Sequence, residues 1–215
     1  MNQLVRENIL SREIIFWDFD GVIKDSIKSK GDAFQELFLE EGLEFQTKVR
    51  MHHEMNGGIS RYEKIPIYLS WLNKNSPLLN KKYIEKFSEL VCAKVINSDW
   101  VPCFLDFFYG VKNSTINTLV SATPKDELKF ILKTLNLESS FWGVYGSPTT
   151  KKEAILKTLS IHSIKEYEAI FIGDSSQDLF AAKESNIDFI LRRNPFNQHI
   201  KISKPILEFQ DYCYE

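Results

Sequence analysis

The sequence is poor in cysteine and contains no long apolar run. Its three cysteines, Cys92, Cys103 and Cys213, are spread over 215 residues, and none forms a CxxC pair. We therefore expect reduced, structural thiols in a cytoplasmic protein and no zinc site. No stretch approaches the roughly 18 consecutive apolar residues of a membrane span. The N-terminus lacks a basic region followed by an apolar run, which argues against secretion.

The sequence also lacks an excess of charge of one sign. Its 27 lysines and arginines nearly balance 29 aspartates and glutamates, which leaves a formal net charge of −2. Nucleic acids and anionic membranes normally bind a basic surface, so neither is expected as a partner. With 43% apolar residues, the chain can form one large domain or a domain that carries an insertion. Oligomeric state is not indicated.

Short apolar runs separated by amphipathic patterns are present instead. The runs predict buried strands at residues 14–17, 116–120, 169–172 and 189–191. Helices with one apolar face are predicted at residues 127–135, 152–159 and 178–184. Strands that alternate with helices are typical of an α/β fold, here a doubly wound, Rossmann-like parallel sheet.

Residues 26–112 differ from the rest, because they show helical runs without a clear buried strand. We interpret this segment as a mostly helical cap inserted between the first and second strands of the sheet. Residues 1–25 and 113–215 would then form the α/β core domain. The alternative is that these helices simply cover the sheet, but an insertion this long between adjacent strands favours a separate cap.

Polar residues that could form one binding site follow three of the predicted strands. Asp18 and Asp20 follow the first strand, Ser121 the second and Asp174 the third. Ligands of an open parallel sheet bind at the carboxyl ends of its strands. Two neighbouring carboxylates repel each other unless a cation or a shared proton lies between them. Aspartate oxygens that converge there make a hard site suited to magnesium.

Four segments resemble, in order, the motifs of haloacid dehalogenase (HAD) superfamily phosphatases. Residues 18–23 read Asp-Phe-Asp-Gly-Val-Ile and resemble the first motif, and residues 120–124, Val-Ser-Ala-Thr-Pro, are similar to the second. Lys151 matches the lysine of the third motif, and residues 173–178, Gly-Asp-Ser-Ser-Gln-Asp, resemble the fourth. Together the motifs bracket most of the chain.

The resemblance implies catalytic roles. Asp18 would be the nucleophile that forms an aspartyl phosphate, and Asp20 would protonate the leaving alkoxide and then deprotonate the attacking water. Lys151 would offset negative charge on the nucleophile and the phosphoryl group. Lys152 is the alternative for this role, but Lys151 fits better because it stands three residues after Pro148.

The resemblance also implies binding roles. Magnesium would be held by Asp18, the carbonyl oxygen of Asp20 and Asp174, while Asp178 would support the metal through its waters or orient the lysine. Ser121 would hydrogen-bond a phosphate oxygen, and the backbone amide of Ala122 would add a donor. Ser121 could instead cap the following helix.

A further segment, residues 56–61, resembles the cap of phosphoglycolate-phosphatase-like members of the superfamily, where cap residues contact substrate. Gly58 directly follows Gly57, and such a pair of glycines would let the cap approach the core closely. Arg61 could donate two hydrogen bonds to a phosphate or carboxylate. The alternative is a loop followed by an exposed arginine. The preceding histidines, His52 and His53, are predicted to be surface or packing residues.

The implied activity is that of a magnesium-dependent phosphatase acting on a small phosphate ester. A sugar phosphate, glycerol phosphate or phosphoglycolate would fit, because a closing cap excludes macromolecules. A phosphomutase of the same superfamily stays open, since it differs only in whether the cap excludes water. A catalytically silent binding protein would be expected to lack a motif residue, and none is missing. A dehalogenase, which needs no magnesium triad, is disfavoured.

Overall fold

The computed structural model describes residues 1–202 and 206–214, which contain a six-stranded sheet. In chain order its strands are β1 Ile14–Trp17, β2 Ile116–Pro124, β3 Gly143–Ser147, β4 Ala169–Gly173, β5 Asp188–Arg192 and β6 Leu207–Phe209. In space they follow the order β3-β2-β1-β4-β5-β6, and every neighbouring pair is parallel. The predicted doubly wound α/β fold is confirmed, with β1 and its four buried side chains near the centre of the sheet.

Helices lie before, between and beside these strands. They are α1 Gln3–Leu10, α2 Ile27–Leu37, α3 Leu43–Met55, α4 Arg61–Trp71, α5 Pro77–Ile96, α6 Phe104–Val111, α7 Lys125–Thr134, α8 Lys151–His162 and α9 Ser176–Glu184. Local signals explain where they begin: Thr150 and Glu153 form a capping box at the start of α8, and Pro77 opens α5 behind the cap Ser76. Among the described residues, no helix is both long and apolar enough to cross a membrane.

The helices between β1 and β2 fall into two groups by what they contact. Those from α2 to α5 pack on one another, as in the stacked rings of Phe34 and Phe87, whose centroids are 4.0 Å apart. The last one, α6, packs on the sheet instead, because Phe104 and Phe108 both contact the ring of Trp17. The division into a core and a cap of residues 26–112 stays a prediction, and α6 is the part of that range that covers the sheet.

A disulfide joins Cys103, just before α6, to Cys213 near the end of the described chain. The prediction that all three cysteines are reduced is therefore wrong for this pair, whereas Cys92 is free. The two sulfurs meet because the chain returns past α6 after β6, where the ring of Tyr212 packs against Trp17. A separation of 110 residues along the sequence gives no sign of this contact.

We expect thiol titration of the denatured, unreduced protein to detect Cys92 alone, and titration after reduction to detect all three cysteines. A cross-link over so long a loop restricts the unfolded chain. A variant with Cys103→Ser and Cys213→Ser should therefore lose about 2–4 kcal/mol of unfolding free energy, measured by urea denaturation. Cys92→Ser is the matched control and should change stability less. A double variant as stable as the wild type would contradict this account.

Candidate active site

The carboxyl ends of the three central strands meet at one edge of the sheet. Asp18 directly follows β1, and its backbone amide donates to the carbonyl of Ile172 at 3.0 Å. Asp174 follows β4. Ser121 lies inside β2, which continues to Pro124 rather than ending at residue 120 as predicted. All three side chains are buried, so the structure brings these predicted site residues to one enclosed place.

Three aspartates form a compact acidic cluster at this edge. One carboxylate oxygen of each of Asp18, Asp174 and Asp178 lies within 4.8 Å of the others. Burial, reinforced by the charge of Asp178, raises the pKa of Asp18 from its ordinary value of 3.8 to about 7. Burial and the charge of Asp18 likewise raise the pKa of Asp174. Negative charge in the cluster therefore exceeds what the neighbouring lysine balances, and a divalent cation with oxygen ligands fits this donor set.

Lys151 is the lysine that reaches the cluster. Its Nζ lies 3.1 Å from Asp18 Oδ1 and also contacts a carboxylate oxygen of Asp178. Burial would lower the pKa of Lys151, but the charges of these two aspartates outweigh burial and raise it, so the lysine stays charged. The neighbouring Lys152 lies outside, where it pairs with Glu184 at 3.6 Å on a solvent-exposed surface.

Hydrogen bonds from side chains hold the loop that carries Asp174. Asp178 accepts from the backbone amides of Asp174 and Ser175 at 3.1 and 2.9 Å. Asn194 donates to Asp174 Oδ2 at 2.7 Å, and Asn197 donates to the Asp174 carbonyl at 2.8 Å. Neither asparagine is among the residues predicted from the sequence. The sequence does indicate them, because both asparagines follow β5 at the same edge of the sheet as the predicted residues.

The carboxylate of Asp20 binds side chains at the start of α2 and lies next to a side chain of β2. It accepts a hydrogen bond from Ser26 at 2.6 Å and forms an ion pair with Lys30, whose Nζ also donates to Thr123 at 2.9 Å. Burial would raise the pKa of Asp20, but the charge and hydrogen bond of Lys30 outweigh burial and lower it. Lys30 was not predicted, although its place four residues after Ser26 puts both on one helix face.

Two glycines with positive φ allow close approaches around this site. A Cβ added to Gly21, at φ 76°, would lie 2.1 Å from Asp174 Oδ2. A Cβ added to Gly58, at φ 79°, would lie 2.5 Å from Ser175 Oγ and 2.9 Å from Gln177 Cβ. The segment containing Gly58 therefore does approach the loop before α9 closely, as the sequence predicts.

A cavity of about 160 Å³ lies between the strand ends and the inserted helices. Its lining includes predicted site residues from both parts of the chain: Asp18, Asp20, Gly58, Arg61, Ser121, Ala122 and Asp174. The guanidinium of Arg61 is already occupied, since it makes two bonds of 2.7 and 2.6 Å to Glu127 of α7 and one of 2.7 Å to Ser88. The alternative of an exposed arginine is wrong, because Arg61 is only 5% exposed.

The two adjacent histidines differ in position. His52 packs, as predicted, with its ring against Trp71 and its Nδ1 3.1 Å from the hydroxyl of Tyr68. His53 is buried beside Phe34 and lines the cavity, so a packing role describes it only in part.

Buried aspartates follow the central strands β1 and β4, and Lys151, the first residue of α8, contacts Asp18; this arrangement is typical of a class of hydrolase. The sequence model of haloacid dehalogenase-like hydrolases matches residues 14–192. The chain belongs to this family. The predicted HAD superfamily membership and enzymatic class are thereby confirmed.

Several known proteins are similar to this chain over most of its length. Phosphoglycolate phosphatase from Aquifex aeolicus is 26% identical over 178 residues, which cover 80% of each protein. A predicted phosphoglycolate phosphatase from Haemophilus somnus is 18% identical with a TM-score of 0.75, over 94% of this chain and 95% of the other. A β-phosphoglucomutase from Clostridium difficile is 22% identical with a TM-score of 0.74, over 93% and 91%. The two structures establish likeness of fold.

We expect the protein stripped of divalent ions to lose stability as pH rises. Asp18 has its ordinary pKa of 3.8 when unfolded and about 7 when folded. A carboxyl group with a raised folded pKa stabilises the fold while protonated, and this contribution is lost as pH rises through the folded pKa. At 1.36 kcal/mol per pKa unit, the loss from Asp18 between pH 5 and pH 8 is roughly 2–3 kcal/mol.

The variant Asp18→Asn removes this contribution, because its amide does not ionise, and it also lessens the rise in the pKa of Asp174 that the charge of Asp18 causes. Urea denaturation at the two pH values should show a smaller decrease for the variant than for the wild type. Equal decreases in the two proteins would contradict the account of the cluster.

Proposed function

We propose that this chain is a magnesium-dependent phosphatase that hydrolyses a small phosphate monoester through a phospho-aspartyl intermediate on Asp18. The observation that carries the proposal is the buried carboxylate of Asp18 at the cavity, with Lys151 at 3.1 Å and two further aspartates beside it. Membership of a hydrolase family and the similarity to a phosphoglycolate phosphatase support it.

Magnesium fits the acidic cluster because the donors are hard oxygens whose negative charge exceeds that of the lysine. Asp18, Asp174 and the carbonyl oxygen of Asp20 would hold the ion. Asp178 has the supporting role, since its carboxylate already binds two backbone amides and Lys151. When bound, the ion supplies positive charge that lets an anionic carboxylate approach an anionic phosphate.

The first chemical step transfers the phosphoryl group to the enzyme. An oxygen of Asp18 forms a bond to phosphorus while the bond from phosphorus to the leaving oxygen breaks. Lys151 offsets the charge of the nucleophile, and the Ser121 hydroxyl and Ala122 amide donate to phosphate oxygens. Both of these residues line the cavity, as the role requires.

Asp20 moves the protons in both steps. In the first it gives a proton to the leaving alkoxide, and in the second it takes one from the water that attacks the phospho-aspartate. Its ion pair with Lys30 favours the ionised form, which suits the second step. For the first step Asp20 must carry a proton, and the negative charge of an incoming phosphate favours that form by raising the pKa of the carboxyl group.

The substrate is a small molecule, because the inserted helices and the sheet enclose the cavity between them. A phosphomutase would use the same residues and return the phosphoryl group to a sugar, so its product would be an isomer. A location in the cytoplasm stays a prediction. The disulfide between Cys103 and Cys213 weighs against a reducing compartment.

We expect the wild type to release inorganic phosphate from p-nitrophenyl phosphate and from a panel of small phosphate esters only when magnesium is present. Asp18→Asn should lower the rate by about 10³-fold or more, because the amide is not a nucleophile. Phosphate release is measured colorimetrically with magnesium and with EDTA. Unchanged release by the variant would refute the mechanism, and an isomeric product without phosphate would identify a phosphomutase.

The two adjacent lysines provide a matched pair of variants. Lys151→Met should reduce kcat by about 10²–10³-fold, because no other lysine contacts Asp18 within the described part of the chain. Lys152→Met removes the same charge one residue away, on the exposed surface, and should stay within about twofold of the wild type. Similar losses in both variants would show that the third-motif lysine is misassigned.

A further inference from the structure

The segment that follows β5 contains two buried asparagines, Asn194 and Asn197, although asparagine is usually found at the surface of proteins. Neither takes part in the proposed chemical steps. Both donate hydrogen bonds to Asp174: Asn194 to its side chain at 2.7 Å, and Asn197 to its backbone carbonyl at 2.8 Å. Two buried amides therefore hold one of the aspartates of the acidic cluster.

The hydrogen bonds of the Asn194 side chain determine which way its amide group faces. Its Oδ1 accepts from the backbone amide of Phe196 at 2.9 Å, a role that the NH2 group cannot take because it only donates. The nitrogen is therefore the atom that faces Asp174, where it donates to Oδ2. The backbone amide of Asn194 donates to Oδ1 of Asn197 at 3.0 Å, which also fixes the loop that carries the side chain.

The carboxylate of Asp174 is confined from a second side. Its Oδ2 lies against the backbone of Gly21, since a Cβ added there would be only 2.1 Å away. Asn197 donates to the carbonyl oxygens of Asp174 and Arg192 at 2.8 Å each, which ties the loop after β4 to the end of β5. With its backbone carbonyl and its Oδ2 both held, Asp174 presents its carboxylate to the cluster in one orientation.

Carboxylates of fixed orientation favour magnesium over calcium. Magnesium requires near-ideal octahedral geometry with ligands at about 2.0–2.1 Å, whereas calcium accepts about six to eight oxygens in flexible geometry and often takes both oxygens of one carboxylate. The hydrogen bond from Asn194 to Oδ2 opposes such two-oxygen binding, because it resists the rotation that would turn both oxygens toward one ion. The surroundings of Asp174 therefore suit the smaller ion.

We propose that Asn194 is a positioning residue that raises the preference of the acidic cluster for magnesium over calcium, because it holds the carboxylate of Asp174 in one orientation. This proposal rests on the magnesium site of the proposed function. Asn194 acts through Asp174 rather than on the ion itself. Without its amide the carboxylate can turn, which weakens the ion with strict geometry more than the ion with flexible geometry.

Calorimetric titration of the protein with magnesium chloride and with calcium chloride, in the absence of substrate, measures the two dissociation constants. In Asn194→Ala we expect magnesium affinity to fall by about tenfold or more and calcium affinity by less than about threefold. The ratio of the calcium constant to the magnesium constant should therefore decrease relative to the wild type. This ratio separates positioning from a general loss of structure, which would weaken both ions alike.

Asn113→Ala is the matched control, because Asn113 is exposed and precedes β2 at the opposite edge of the sheet. We expect this variant to keep both dissociation constants of the wild type. Circular dichroism of the metal-free proteins checks that they fold. If the alanine variant at residue 194 does not fold, Asn194→Leu replaces it, since leucine keeps the volume of the side chain but lacks a donor.

The outcomes separate this proposal from the proposed function. Unchanged binding of both ions, or equal losses that preserve the wild-type ratio, would overturn the role of Asn194 and leave the phosphatase proposal intact. The absence of magnesium binding by the wild type would overturn the proposed magnesium site and, with it, the role of Asn194.

Discussion

The repulsion among three buried carboxylates is the constraint on which the rest of this site depends. Asp18, Asp174 and Asp178 share one enclosed edge of the sheet, and among the residues that the structure describes only Lys151 forms ion pairs within this cluster. Such a cluster persists because backbone amides and Asn194 hold its members in place while the charge remains uncompensated. Burial, reinforced by the charge of Asp178, raises the pKa of Asp18, and the same enclosed group of carboxylates makes the edge attractive to a cation and a poor place for a neutral ligand.

The sequence predicts the central part of the fold well, because the signal there is local. Each of the inner strands carries a buried apolar run, and the residues that follow are placed by the geometry of a parallel sheet. The predicted end of β2 falls short because Ser121 and Thr123 are polar yet buried within the strand. The edge strands β3 and β6 escaped prediction, since β3 is mostly half-buried and β6 is three residues long.

What the sequence could not predict depends on pairings between distant residues. Neither the bond between Cys103 and Cys213 nor the pair between Arg61 and Glu127 has a signature in spacing. Lys64 reads as one more helical charge until its burial is known. Asn194 is different, because the rule that selected Asp174 applies equally to polar residues after the next strand. Asn194 could therefore be predicted from the sequence, provided that amides are considered together with carboxylates.

The pair of Arg61 and Glu127 joins an inserted helix to a helix that flanks the sheet, and its charges are almost wholly withdrawn from water. Exchanging such a contact for hydration changes free energy little, because desolvation offsets most of the attraction. The pair instead fixes geometry, because its two parallel hydrogen bonds allow a single relative orientation of α4 and α7. The cavity-lining side of α4 is thereby held in one register against the sheet, so that a salt bridge between two helices helps to set the shape of the enclosed space.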